Sequence, residues 1–465
     1  MTWFHRYRRL WRCPEVWVLT GLALLTRLWQ LGVPNEIVFD EVYFRTFASN
    51  YLNGHYFFDI HPPLVKLLFA SIGSLFQLSA PQVASGDMGI ILLRLLPALA
   101  GAALVPLVYL ILRQLHFGRR IATLGGLCIL LDNALLVESR FVLMDSLLLL
   151  AGFGAISAYL AFCKAEGRRR WMYVLVMSLL LGALVSTKWT GLAIVWLVSV
   201  VWLYEGVLRR WPWRRMVGEG AVVVLTITVI YVGSFMVHFT LLNRSGDGDA
   251  YMSERFQSTL RGSRYYDARA HVSFWDKLIE LNHEMYSAQS SLNGVTHPYA
   301  SRWYSWPFML RPIYYWQGQT LQDGRQGNIY LLGNPVIWVA GTISVTVALV
   351  ALAVSSKWLR ARRGLTVFLL AGYMINFVPF AFIDRPMFLY HYLFAFVLSI
   401  LLFCVVVEGL FNWQATKYSR RATQWTCSAI LVAMCLSFVY FLPLSYGLPL
   451  SQSDLQQHMW LQSWR

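Results

Sequence analysis

Two adjacent carboxylates, Asp40 and Glu41, stand in the stretch FDEVYFRTFASNYLNGHYFFDIHPPL (39–64), directly after the first hydrophobic run of the chain. A structural membrane protein has no need of an acidic pair there. An enzyme that deprotonates a hydroxyl at a bilayer surface needs one carboxylate as general base. Other unusual polar residues are scattered along the chain: His61; Glu138, Arg140 and Asp145; Lys188; His297 and Arg311; and Asp384, Arg385 and His391. Cations beside a membrane suit a phosphate that stays attached to lipid, with arginine offering a planar fork and lysine a point charge. Cations and a carboxylate together point to group transfer from a lipid phosphate to an acceptor hydroxyl.

Each residue has an ordinary reading when taken alone. The acidic pair could open a solvated loop, Glu138 could pair with Arg140, Lys188 could snorkel to the interface, and a lone histidine is more often structural than reactive. Their placement decides between the readings, and that depends on the spans. The chain has 465 residues, 57% hydrophobic and 13% charged, against roughly 25% charge in soluble domains. The fold class is an all-α polytopic membrane protein, with eleven candidate spans near 14–32, 89–112, 121–137, 141–163, 172–188, 190–207, 217–242, 334–355, 364–383, 388–411 and 424–446. Runs of about 18–25 apolar residues cross a ~30 Å hydrocarbon core as helix. With the N-terminus cytoplasmic, the segments HRYRRLWR, RQLHFGRR, KAEGRRR, RRWPWRR, KWLRARR and KYSRR all fall inside, as the positive-inside rule requires. The first span then reads as an uncleaved signal anchor. The net charge of +16 is thus a topology signal and calls for no nucleic acid. Anionic lipid headgroups are the partners such loops favour.

In this topology residues 1–465 form one membrane domain with two long external loops, 33–88 and 243–333, and every unusual polar residue lies on the external face. Five separate segments supply ionisable groups to one membrane surface, where charge is costly and usually paired or functional. The stretch LVKLLFASIGSLFQL after His61-Pro62-Pro63 and the stretch WDKLIELNHEMYSAQSSL read as helices lying along the interface. The long second loop has no cysteine, so structural disulfides are not expected. A transporter would place polar groups near mid-membrane on broken helices in paired halves, and neither sign is present.

The stretches FDEVYF (39–44), HPPLVK (61–66), LDNALLVESRFVLMDSLLL (131–149), STKWTG (186–191), HPYASRWYSWPFMLRP (297–312) and RPMFLYHYLFA (385–395) resemble the protein O-mannosyltransferases, of the class C polyprenyl-phosphate-dependent glycosyltransferases. The chain looks like a bacterial-type member, because its second loop is too short for the β-trefoil domain that eukaryotic members carry there. The resemblance implies an inverting transfer of mannose from polyprenyl-phosphate mannose to Ser or Thr hydroxyls of a secreted or membrane protein, at the periplasmic face of the cell membrane. A lipid or cell-envelope glycan is the alternative acceptor. It implies Asp40 and Glu41 as the catalytic pair, with Asp40 as the base and Glu41 orienting Asp40 or the acceptor. Arg140 is the first choice to hold the donor phosphate, then Lys188 and Arg385. His61, Glu138, His297, Tyr299, Trp306, Arg311 and His391 are expected to orient the groups or line the acceptor groove. No cofactor is expected, since the lipid-linked sugar is a substrate. No metal is expected, because no acidic pair of the DxD type stands beside a third ligand. No segment is marked as a subunit interface.

Overall fold

The computed structural model describes residues 13–464 apart from 86, 292, 293, 295, 418 and 419. The basic segment HRYRRLWR (5–12) lies outside the described residues, and KYSRR (417–421) lies partly outside them. Among the described residues, eight helices are long and apolar enough to cross a membrane, and a bent pair makes a ninth. Two expected spans fall outside that set. The first helix, Pro14–Leu28, has only 15 residues, and Gly167–Val185 opens on three arginines. The first helix ends sooner than its apolar run because Gln30 takes a positive φ and Pro34 follows. The third expected span is broken: Arg119–Leu130 and Asn133–Arg140 meet at 56°. Asp132 makes the break, accepting a hydrogen bond from the Leu135 N–H at 2.9 Å as an N-cap.

The core lies around the helix Leu393–Lys417. Of the apolar window in Leu389–Phe411, 83% is buried inside the protein, against 11% in Trp213–Leu241, whose exposed valines and leucines mark it as a peripheral, lipid-facing helix. Close helix crossings rest on small residues, as membrane packing favours. A Cβ on Gly101 would stand 2.3 Å from Cβ of Ser139, so this glycine lets Asp87–Gln114 lie against the short helix that carries Glu138 and Arg140.

Both long loops carry helices among their described residues. The first holds Glu41–Asn53 and Leu64–Leu75, and the second holds Phe274–Ser291, where the sequence pattern predicts helices after His61-Pro62-Pro63 and around Trp275. The second loop also contains an antiparallel hairpin, β1 (Ile313–Thr320) and β2 (Gln326–Leu331), which the all-α reading does not anticipate. Irregular pairing, with register shifts at Tyr314/Trp316 and Gln317/Thr320, hides its alternation in the sequence.

Three buried arginines fix the loop between the first helix and Glu41. Arg27 donates to the carbonyls of Ile129 (3.0 Å) and Leu130 (3.1 Å) at the end of Arg119–Leu130. Arg140 returns the favour, donating to the carbonyls of Trp29 (2.6 Å) and Gln30 (2.9 Å) just past the first helix. Arg94 donates to the carbonyls of Leu31, Pro34 and Glu36 and forks onto Glu41, with both nitrogen–oxygen distances at 2.7 Å. The Glu41 carboxylate also accepts the N–H groups of Val38 (2.9 Å) and Val142 (2.8 Å). Four donors thus saturate a fully buried carboxylate, so within the expected catalytic pair Glu41 is left to position the turn that carries Asp40 and has no lone pair free to meet the acceptor. Arg94→Met should therefore destabilise the protein by about 3–5 kcal/mol, because it strands a buried charge, while Glu41→Leu added to it should recover a large share. Thermal unfolding of the three purified forms in detergent measures both effects.

Candidate active site

Asp40 immediately precedes the helix Glu41–Asn53. An aspartate there ordinarily accepts a backbone N–H as an N-cap, but this one makes no capping hydrogen bond. Its carboxylate has no hydrogen-bond or ion-pair partner among the described residues. The preceding Phe39 takes a left-handed φ of 51°, a strained conformation for an aromatic residue, costing about 1–3 kcal/mol. Its ring stacks on Tyr315 of β1, with centroids 4.2 Å apart and planes 7° from parallel. The turn therefore aims Asp40 away from the helix it would otherwise cap. Burial pushes the Asp40 carboxyl up to about 6; nearby Lys188 opposes this, and Asp145 and Asp59 add to it.

Lys188 is buried in the turn before Leu192–Leu208, 3.2 Å from Asp145 and 5.0 Å from the ring of Tyr390. His61 is drawn to the same place by the backbone, since the Leu64 N–H donates to the Ser186 carbonyl at 3.1 Å and ties the His-Pro-Pro turn to Ser186-Thr187-Lys188. Lys66 holds that turn from below: it pairs with Asp59 and donates to the His61 carbonyl at 2.6 Å. The His61 ring has no hydrogen-bond partner among the described residues. Burial, with Lys188, Lys66 and Arg385 close by, holds it well below the usual histidine range, so it is a neutral imidazole. Arg385 is half-buried with no hydrogen bond or ion pair among the described residues. Asp384 beside it is exposed.

From Lys188 and Asp145 a cavity of about 360 Å³ runs between helices, lined by His391 and Tyr390 at its polar end and by Trp196 and Phe394 along its apolar wall. Its shape and lining suit a molecule with a charged head and a hydrocarbon tail. On the other side of Asp40, Tyr315 donates to Glu138 at 2.7 Å, so the hairpin closes over the helix Asn133–Arg140. Sequence reasoning missed Tyr315 and Tyr390. The first lies on the unforeseen hairpin. The second stands inside RPMFLYHYLFA, one position before the histidine that was chosen.

The remaining expected residues form a roof. Trp306 is fully buried, donates to Ser301 Oγ at 2.9 Å and lies nearly parallel to the His391 ring, 6.0 Å away. His391 Nδ1 is in turn engaged with the backbone of Phe388. His297 packs edge-on against Phe388 at 5.0 Å and accepts the Tyr299 N–H through Nδ1. Arg311 donates to the Pro298 carbonyl at 3.0 Å, fixing that loop. The structure thus gathers Asp40, His61, Glu138, Lys188, Arg385 and His391 into one region. It does not bring Arg140 there. The guanidinium of Arg140 is turned to the carbonyls after the first helix and over the Tyr446 ring at 4.2 Å. That corrects its expected place as first phosphate ligand. Among the described residues, no three His, Cys, Asp or Glu side chains converge as metal ligands would.

The family profile described as dolichyl-phosphate-mannose-protein mannosyltransferase matches residues 17–243, and that of the C-terminal four-span region of protein-O-mannosyltransferase matches 274–464. Among curated relatives, dolichyl-phosphate-mannose–protein mannosyltransferase 4 of Candida albicans is 30% identical over 66% of this chain and 42% of its own length. Protein O-mannosyltransferase 1 of Drosophila melanogaster is 36% identical over 53% of this chain and 30% of its own. The chain thus spans well under half the length of these relatives. Among solved structures, the S. cerevisiae protein O-mannosyltransferase Pmt1-Pmt2 complex bound to the sugar donor superposes with a TM-score of 0.86 at 19% identity, over 97% of this chain and 92% of that one. The Archaeoglobus fulgidus oligosaccharyltransferase gives 0.56 at 14% identity, over 99% and 58%. Both structural likenesses speak to the fold, and the two profiles, covering nearly the whole chain between them, place it in the protein O-mannosyltransferase family.

Proposed function

We propose that this protein is an inverting glycosyltransferase that moves mannose from polyprenyl-phosphate mannose to a Ser or Thr hydroxyl of a protein, at the external face of the membrane. One observation carries the reading: Asp40, a carboxylate with no hydrogen-bond or ion-pair partner among the described residues, lies near Lys188, the cation at the polar end of an apolar cavity. The family membership supports mannose as the sugar, a polyprenyl-phosphate donor and a protein acceptor.

In the proposed step Asp40 takes the hydroxyl proton as the acceptor oxygen attacks the anomeric carbon. The bond from that carbon to the phosphate oxygen breaks, and its electron pair stays on the phosphate. Lys188 and Arg385 stabilise the charge that develops there, a contribution that preorganised cations make in a site closed to water. A phosphate leaving group needs no general acid, so the second carboxylate of a hydrolytic glycosidase has no counterpart, and no cofactor is called for. The apolar wall at Trp196 and Phe394 takes the first units of the polyprenyl chain. His61, neutral and without a ring partner, is placed to accept a hydrogen bond from the acceptor or a sugar hydroxyl. His297 and Tyr299 lie over the acceptor path.

Purified protein in detergent, supplied with radiolabelled polyprenyl-phosphate mannose and a Ser/Thr-rich peptide, should label the peptide. Asp40→Asn should lower that rate by about 10²–10⁴-fold, the usual worth of a positioned base, with the fold and donor binding retained. Near-normal turnover in this variant would overturn the assignment. Donor consumption that requires lipid or glycan extract in place of peptide would move the acceptor and keep the chemistry.

The base must be ionised to act, and its carboxyl titrates at about 6. The wild-type rate should therefore rise with pH through about 6 and level off above it, falling about tenfold per unit well below. A rate flat from pH 4.5 to 8 would speak against Asp40 as the base. Lys66→Met should lower kcat by roughly 10–100-fold through displacement of the His61 turn, with donor KM little changed; a change confined to KM would remove this positioning role.

A further inference from the structure

At the far end of the helix Pro335–Ala353, about 28 Å along its axis from Asn334, lies a second cavity. Its volume is about 120 Å³, and it is lined by Ala351, Leu352, Ser355, Ser356, Arg360 and Arg363. Four of its six lining residues are hydrogen-bond donors, two of them arginines, and none is acidic. We propose that this cavity is a binding site for a phosphate group, separate from the transfer reaction and on the opposite side of the membrane domain.

The segment is built to present those donors. Arg362, between the two cavity arginines, is fully engaged: it forks onto Glu408 (2.9 and 3.0 Å), donates to the carbonyls of Leu115 (2.7 Å) and His116 (3.2 Å), and stacks over Phe117 at 4.3 Å. That anchor fixes the chain and leaves Arg360 and Arg363 on either side. Neither has a hydrogen bond or ion pair among the described residues, and the hydroxyls of Ser355 and Ser356 likewise have no partner there. A helix C-terminus alone would repel an anion through its free carbonyls. Here Ser355 takes a positive φ of 50° and turns the chain back, so that its N–H meets the Leu352 carbonyl at 3.2 Å and the Ser356 N–H meets that of Ala351 at 2.9 Å. The carbonyls of Ala351 and Leu352, the two helix residues that line the cavity, are thereby occupied, as in a Schellman-type cap, and the side chains facing it are donors.

Two guanidinium groups and two hydroxyls match the oxygens of a phosphate mono- or diester. The volume is far below the ~300–1,000 Å³ of pockets for larger ligands, so the group bound is the phosphate itself. Phospholipid headgroups and free phosphate both offer it. Val350 and Val354 beside the cavity are exposed and would meet acyl chains, which favours the lipid.

Thermal unfolding of the full chain in detergent tests this, with sodium phosphate and short-chain phosphatidylglycerol titrated separately at constant ionic strength. Saturating ligand should raise Tm by about 2–8 °C, and Arg360→Ala with Arg363→Ala should abolish the shift while mannosyl transfer stays at the wild-type rate. Stabilisation by both ligands marks a site open to any phosphate. Stabilisation by the lipid alone marks a headgroup site, and by sodium phosphate alone a site for the free anion. The proposal fails if neither ligand stabilises the wild type, or if the double variant responds as the wild type does. Should the alanine pair not fold, Arg360→Gln with Arg363→Gln gives the same comparison.

Discussion

The ion pair between Arg94 and Glu41 is the contact on which the arrangement of the active region depends. It joins a long membrane helix to the first turn of Glu41–Asn53, and its carboxylate also gathers the N–H groups of Val38 and Val142. Asp40 sits one residue before that anchor. With Glu41 saturated and Phe39 pinned in a left-handed turn against Tyr315, the Asp40 side chain has no hydrogen-bond or ion-pair partner among the described residues. Two adjacent carboxylates therefore have opposite environments, one fully neutralised and rigid, the other isolated and raised in proton affinity. Separation of environments is what lets neighbouring acidic groups take different tasks.

The same logic governs the arginines. Backbone carbonyls that leave a helix within a membrane domain have no water to meet, so each needs an internal donor. Arg27, Arg140 and Arg94 supply those donors to the ends of two helices and to the turn between them. Their charge is balanced by carbonyl dipoles, by ring faces at Phe141 and Tyr446, and by Glu41. Arg385 has none of these partners among the described residues, and Lys188 has one ion pair, to Asp145, beside the face of Tyr390. Cations with capacity to spare mark the region where a negatively charged substrate would be stabilised.

The two loops contribute different parts of the active region. The first loop is braced internally by the Lys66–Asp59 pair and the bond from Lys66 to the His61 carbonyl, and it is tied to the membrane helices by the Leu64–Ser186 hydrogen bond. The second contributes the hairpin and Trp306, which packs on Phe380 and His391 of the segments before Leu393–Lys417.

Much of this was open to sequence reasoning, for a physical reason in each case. Apolar runs, alternating basic segments and the gathering of polar residues on one face all follow from the cost of charge in hydrocarbon, which acts locally along the chain. So Asp40, His61, Lys188, Arg385 and His391 could be singled out by type and place alone, as could the helices after His61-Pro62-Pro63 and around Trp275. What the sequence could not decide was which charges are already satisfied. Arg140 and Arg385 look alike in one dimension. The partners of Arg140 are carbonyls about 110 positions away, and a carbonyl leaves no mark in the residue alphabet. Glu41 is neutralised by Arg94, 53 positions on, and Tyr315 reaches Glu138 across 177. Hydrophobicity is written into each side chain, whereas hydrogen-bond satisfaction belongs to pairs that only the tertiary structure brings together.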